Sequence, residues 1–272
     1  YLLSNATICG TPARERILQR FTGIKKESLV KNTLSRLNST TNRVVFLDIA
    51  KQISPNDEKK KNLAHILFMN FLKSLDLPAN EHGILLYHLL IKRQNTDIKS
   101  YVNQTLQKDW NKIKIQLLEY ASTIKKLFME DLGAQNEDDY QNIMETIRRD
   151  IDQFSSSRLK EELTSYLKIH KTERIVFLFD EASEAINQQK INLLDLEGVS
   201  EALSALAGQV WTIAIAQEKL DDVINNARIN RAQLTKVTDR FQTKIHLEAT
   251  EIDEIIRQRL LNKKINALDL LK

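Results

Sequence analysis

Turn-forming residues are nearly absent from this chain, and that excludes a whole fold class. Six glycines and three prolines in 272 residues are about 2% and 1%, against usual shares of roughly 7% and 5%. A sandwich or barrel of short strands needs a turn roughly every 8–12 residues, and those turns draw on Gly, Pro, Asn and Asp. An all-β fold is therefore ruled out, and most of the chain must run in long helices. With 42% apolar and 28% charged residues, it can bury a core and is not disordered in bulk. Forty basic residues against 36 acidic ones leave a net charge of +4, too mild for a surface devoted to nucleic acid. Cys9 is the only cysteine, which excludes a disulfide framework or a multi-thiolate metal site and fits a reducing cytoplasm. The longest apolar run, Ile84–Ile91, contains His88 and falls far short of the ~18 residues of a membrane span. The first residues show no charged segment followed by an apolar stretch and a cleavage site. A cytoplasmic protein without membrane contact is expected.

Four short runs rich in β-branched residues read as strands: Val44–Ile49, Ile175–Phe179, Val210–Ala216 and Lys244–Leu247. The second and third are almost continuously apolar, as in parallel strands buried on both faces. Elsewhere apolar residues recur at helical steps, as in Val199, Leu203 and Leu206, then Leu220, Val223, Ile224 and Ala227, then Ile252, Ile255, Ile256 and Leu260. The last of these helices opens on Thr250-x-x-Asp253, a capping box. Strands alternating with helices predict βαβ units and a parallel sheet flanked by helices. From about residue 54 to 170 there is no strand signal. Ile98, Val102, Leu106, Trp110, Ile113, Leu117, Ile124 and Phe128 keep helical spacing, as do Tyr140, Ile143, Ile147, Ile151 and Phe154. Leu159, Leu163 and Leu167 follow a serine break at 155–157. The expected organisation is an α/β core built from residues 1–53 and 171–272, interrupted by a large all-helical insertion at 54–170.

The strongest chemical signal is Arg174-Ile-Val-Phe-Leu-Phe-Asp180-Glu181. An apolar strand ending in Asp-Glu is the Walker B pattern of P-loop NTPases. Such a strand delivers its terminal acid to the carboxyl edge of the sheet, where ligands bind in open α/β folds. Asp180 can hold Mg²⁺ there, and Glu181 can orient and deprotonate an attacking water. The competing reading is a core strand leaving into a capped helix, with both acids near a helix N-terminus. The next strand, Val210–Ala216, ends in Gln217-Glu218. In AAA+ and STAND ATPases a polar residue at the tip of the strand beside Walker B senses the γ-phosphate. Gln217 fits that position with its amide NH₂; the alternative is that it begins the helix whose apolar face is Leu220, Val223 and Ile224. Arg240, in Thr238-Asp239-Arg240-Phe241, stands where such ATPases place an arginine finger that reaches a neighbouring subunit. A surface ion pair with Asp239 is the alternative.

The order DEASEAINQQ, VSEALSALAGQVWTIAIAQEKLDDVI and VTDRFQTKIHLEATEIDEIIRQRLLNKK resembles the P-loop ATPase core of BREX phage-defence proteins of the BrxC/PglY type. That family also carries a long helical insertion ahead of its Walker B strand. The resemblance spans most of the chain, tightest over 174–264 and loose over 55–170. More distantly, the Arg-Phe, strand and helix pattern is similar to origin-recognition-type AAA+ and STAND ATPases. The resemblance implies a parallel-sheet P-loop NTPase core of AAA+/ASCE type, with ATP and Mg²⁺ as cofactors. It further implies assembly as a homo-oligomer or with other defence-system proteins, and leaves DNA open as a partner.

One expected part is missing. A strand-GxxxxGK[ST]-helix phosphate loop does not occur. The nearest match is Lys25-Lys26-Glu27-Ser28, running into a helical pattern at Leu29, Val30, Thr33, Leu34 and Leu37. Ser28 matches the magnesium-binding hydroxyl and Lys26 the nearest cation, while Glu27 occupies the lysine position, where an acid repels phosphate. Either the loop is degenerate and the domain serves as a scaffold, or a segment around Gly23–Glu27 is missing from the sequence. The second is favoured because only Arg20–Ile24 remains to form the strand that should be central in the sheet. Gly10 precedes no lysine and reads as part of a loop entering a helix at Arg14–Phe21.

Other chemistries find no support. His65, His82, His88, His170 and His246 lack metal-ligand spacing, and neither Cys9 nor a G-x-S-x-G elbow supplies a nucleophile. Trp110 and Trp211 read as core anchors. Lys108, Lys112, Lys114, Lys125, Lys126, Arg148 and Arg149 are interleaved with acids, which favours a solvated face over a DNA groove. The run Asp57–Lys61 reads as a solvated helix start.

Overall fold

The computed structural model describes residues 6–19, 26–36, 41–49, 62–94, 97–113, 133–188, 193–206 and 208–215, with isolated positions between and beyond them. The chain divides into two units. Residues 1–240 form the first, and of the second, 241–272, only Thr243 and Ile245 are described.

Two short strands, β1 (Thr7–Ile8) and β2 (Thr11–Pro12), pair antiparallel. Their turn is Cys9-Gly10, both at positive φ (50° and 77°), as a two-residue hairpin requires. The segment read as a loop is thus a hairpin. It leads into α1 (Ala13–Leu18), and then follow α2 (Glu27–Ser35) and β3 (Thr41–Asp48). A helical stretch comes next: α3 (Leu63–Ser74), α4 (Glu81–Lys92), α5 (Ile98–Leu106), α6 (Trp110–Ile113), α7 (Glu137–Asp152) and α8 (Ser156–Ile169). Strand β4 (Glu173–Asp180), α9 (Ala182–Asn187), α10 (Leu193–Ser204) and β5 (Val210–Ala214) complete the described elements. Of the run Lys244–Leu247 only Ile245 is described, and the capping box at Thr250 lies outside the described residues.

Helix boundaries show how the chain manages with so few glycines. Asn62, Asn80, Asp97, Asn136 and Ser155 each accept a backbone N–H from the first turn they precede, caps worth about 1 kcal/mol apiece. The serine break is therefore the start of α8. At the other ends, Asp76, Gln94 and Gln107 take the left-handed conformation (φ 60°, 54° and 50°) that usually falls to glycine. Gln107 also divides the apolar repeat that begins at Ile98 into two helices. Gln107 ends α5, and Asp109 restarts helical structure by accepting the Asn111 N–H at 3.0 Å. The break turns Trp110 inward, 2% exposed, with its indole N–H donated to Asp76 at 2.9 Å.

Gly83 is a case where glycine is indispensable. A Cβ at this position would lie 1.7 Å from the carbonyl oxygen of Pro78. Gly-to-Ala exchange inside a helix ordinarily stabilises by up to ~1 kcal/mol. Gly83→Ala is expected to do the reverse, lowering stability by about 1–3 kcal/mol, which a shifted urea midpoint would register.

The fold class is α/β. Strands β3, β4 and β5 form a parallel sheet in that spatial order, with Val45 beside Phe177 and Thr212, and Val44 beside Val176 and Trp211. One face carries Val45, Leu47, Ile175, Phe177, Phe179 and Val210, all buried. Helix α3 packs on β3, α10 packs on β5, and α3, α8 and α10 touch one another to close this layer. The opposite face departs from the expectation of burial on both sides. Val176, in the middle strand, is covered there, but Phe46 is 55% exposed and Trp211 54%. Trp211 is therefore no core anchor: it projects from the face opposite the helix layer.

Candidate functional site

Parallel pairing brings the last residues of two strands together. Asp48 of β3 stands in register with Asp180 of β4, both half-buried at the carboxyl edge of the sheet. The Walker B reading thus finds Asp180 at the tip of the central strand of the three. Asp48 was not singled out from sequence, although the signal was there: Val44–Asp48 is a second apolar run ending in Asp.

The turn after β4 is held from several sides. Asp180 Oδ1 accepts the Glu181 N–H at 3.1 Å. The Ile215 N–H donates to the Phe179 carbonyl at 2.8 Å, and the Ala182 N–H to the Ile215 carbonyl at 3.3 Å. The Glu181 carbonyl accepts from the Ala185 N–H at 3.1 Å, starting α9. Within this frame Glu181 itself has φ +55°, a left-handed conformation that costs a side-chain-bearing residue about 1–2 kcal/mol. Such strain persists where the surroundings over-determine it, and it concentrates at functional sites. A capped-helix exit alone does not call for an acid in that conformation.

The other sequence-derived residues divide into two groups. Gln217 lies two positions beyond Ile215, at the end of β5, and both it and Arg240 are outside the described residues. Lys26 and Ser28 belong to α2, a separate element that buries none of its side chains. Lys26 is the left-handed N-cap of α2 (φ 59°) and makes no side-chain capping bond. Glu27 is paired with Lys31 one turn on, at 2.5 Å, so its charge is partly offset where a phosphate-binding lysine was expected.

Fit to the expected cofactors differs between the two ends of the site. Among the described residues no group of three or more His, Cys, Asp or Glu side chains is placed to hold a metal. Magnesium in nucleotide sites needs less, typically one or two carboxylates with phosphate oxygens and water, and Asp180 with Asp48 beside it fits that demand. The phosphate end does not fit as it stands. Lys26, Glu27 and Ser28 provide a helix N-terminus and a hydroxyl but no glycine loop.

Two of the basic residues singled out on the helical stretch are seen in ion pairs. Lys125 pairs with Glu137, and Arg148 with Glu81 at 3.1 Å, as on a solvated face. His88 Nε2 lies 2.9 Å from Glu162 Oε1, which also receives Arg158 at 2.8 Å, a clamp between α4 and α8. No family model matches the chain, and no solved structure matches it. No helix among the described residues is long and apolar enough to cross a membrane.

Proposed function

We propose that this chain is an ATP-binding and hydrolysing module of AAA+/STAND type that serves a bacterial anti-phage defence system of the BREX kind. The observation that carries the reading is the placement of Asp180-Glu181. A buried parallel strand, flanked by β3 and β5, delivers both acids to the carboxyl edge, with Glu181 strained. Asp180 would hold Mg²⁺, Glu181 would take the proton of the attacking water, and Gln217, three residues past the end of β5, would contact the γ-phosphate. Arg240 acts across an interface between subunits, so the partners are further copies or other defence-system proteins. Origin-recognition-like loading would add ATP-dependent, salt-sensitive DNA binding.

A second reading is favoured by Glu27 and the lack of a glycine loop: a degenerate P-loop scaffold that binds protein or nucleic acid through its helical stretch, without nucleotide. Equilibrium titration of the intact chain with ATP and ADP, with and without Mg²⁺, decides between them. The ATPase reading expects measurable affinity, and Asp180→Asn should remove its dependence on Mg²⁺. No affinity for either nucleotide would leave the scaffold.

A further inference from the structure

Helix α8 passes into the sheet through a short turn, residues 170–172, and the side chains around that turn form a compact charged cluster. His170 ends α8: its N–H donates to the Tyr166 carbonyl at 3.0 Å, and its carbonyl accepts the Glu173 N–H at 3.1 Å. The turn is also tied to the lead-in of β5. Gln209 Nε2 donates to the Lys171 carbonyl at 3.2 Å, and the Gln209 carbonyl accepts the Ile175 N–H at 2.8 Å.

The His170 ring lies against the Tyr166 ring, with centroids 4.5 Å apart and planes 22° from parallel. Its Nδ1 is 3.9 Å from a Glu173 carboxylate oxygen. That carboxylate is buried and receives two donors, Arg43 from β3 at 2.9 Å and the Tyr166 hydroxyl. Glu173 from β4, Arg43 from β3 and Tyr166 from α8 are thus the charged and titratable groups that face the ring, and α3 joins the cluster through the Ser74 carbonyl, which accepts from Arg43. Lys168 and Lys171, its neighbours in sequence, are exposed.

Arg43 already balances the Glu173 charge, so a proton on His170 adds an excess positive charge at a site partly removed from water. Burial is the main cause that holds the His170 imidazole below its ordinary value of 6.5, opposed by Glu173 and helped by Arg43. The stacked ring is therefore neutral at pH 7. Its side chain is 30% exposed, so a small movement of the turn delivers it to water, where the imidazolium is stable. A group held below its ordinary value contributes stability above that value, and the contribution is lost as the pH falls through the lowered one.

We infer that the α8–β4 turn is an acid-released latch: the neutral His170 ring closes it by stacking on Tyr166, and a proton taken up from water by the ring opens it. Opening frees the Glu173 N–H and loosens the link between the helix layer and the amino ends of β4 and β5. The Arg43–Glu173 pair needs no proton from His170 and holds the sheet while the turn opens. The latch depends on none of the chemistry proposed for the opposite edge of the sheet.

Hydrogen–deuterium exchange of the intact chain at residues 170–175, corrected for the intrinsic pH dependence of exchange, tests the latch. The comparison is with His170→Phe, which keeps a flat ring beside Tyr166 and cannot take a proton. From about pH 7.5 to about pH 5, protection at these amides should fall roughly twofold or more further in the parent than in the variant. The ring resonances of His170, identified by their loss in the variant, should titrate below the ordinary histidine value. An equal fall in parent and variant overturns the latch, as does a ring that titrates at or above that value. Should His170→Phe fail to fold, His170→Gln serves for the same comparison, and the ring titration of the parent decides without either.

Discussion

Glu181→Gln is expected to lower ATP turnover by roughly 10²–10⁴-fold, the usual contribution of a positioned general base, while ATP still binds. Glutamine keeps the size and the hydrogen-bonding oxygen of the side chain and removes the group that accepts a proton. It also keeps the strained left-handed backbone at φ +55°, so stability should stay near that of the parent. Glu181→Gly separates backbone from chemistry. Glycine adopts positive φ without the Cβ penalty, so this variant should lose turnover without losing stability. Steady-state phosphate release, read beside nucleotide affinity and a thermal melt for each variant, checks the assignment. Unchanged hydrolysis in Glu181→Gln would remove Glu181 from the reaction.

The largest expected effect on stability lies at the opposite end of the sheet. Arg43 of β3 pairs with Glu173 of β4 at 2.9 Å, and the Glu173 side chain is 6% exposed. Arg43 also donates to the Tyr166 hydroxyl at 3.1 Å and to the Ser74 carbonyl at 2.5 Å, while the Tyr166 hydroxyl donates to the Glu173 carboxylate. Burial raises the Tyr166 hydroxyl well above the ordinary phenol range, opposed by the Arg43 charge and helped by Glu173, so it remains a donor. One guanidinium therefore ties β3, β4, α3 and α8 together. Arg43→Met leaves the Glu173 carboxylate buried without its counter-charge, at a cost of about 3–5 kcal/mol. That is a large share of the roughly 5–15 kcal/mol that holds a typical domain. Adding Glu173→Met should recover much of the loss, because a buried ion pair replaced whole by apolar side chains is often neutral. Denaturant midpoints of the two single variants and the double variant supply the cycle. A deficit in the double variant equal to the sum of the singles would mean that the pair does not act as a unit.

Legibility in the sequence followed the range of the signal. The runs at Val44, Ile175 and Val210 became β3, β4 and β5 because buried parallel strands need continuous apolar, β-branched residues. Caps such as Asn80 and Ser155 act within one turn, so a serine break could be read as a boundary. The apolar repeat from Ile98 did not show its break, because periodicity alone does not register one left-handed residue, Gln107, which divides it. Trp211 misled for a different reason: a strand residue alternates between faces, and which face is covered depends on what packs there.

The sequence by itself determined that the chain is helix-rich α/β, where three strands lie, and that Asp180 and Glu181 close one of them. Those are local properties, set by side-chain shape, period and capping. Only the tertiary structure decided the strand order, the meeting of Asp48 with Asp180 and of Arg43 with Glu173, and the exposure of Phe46 and Trp211. Each of these joins residues far apart in the chain, through hydrogen-bond register and packing that no short window of sequence contains.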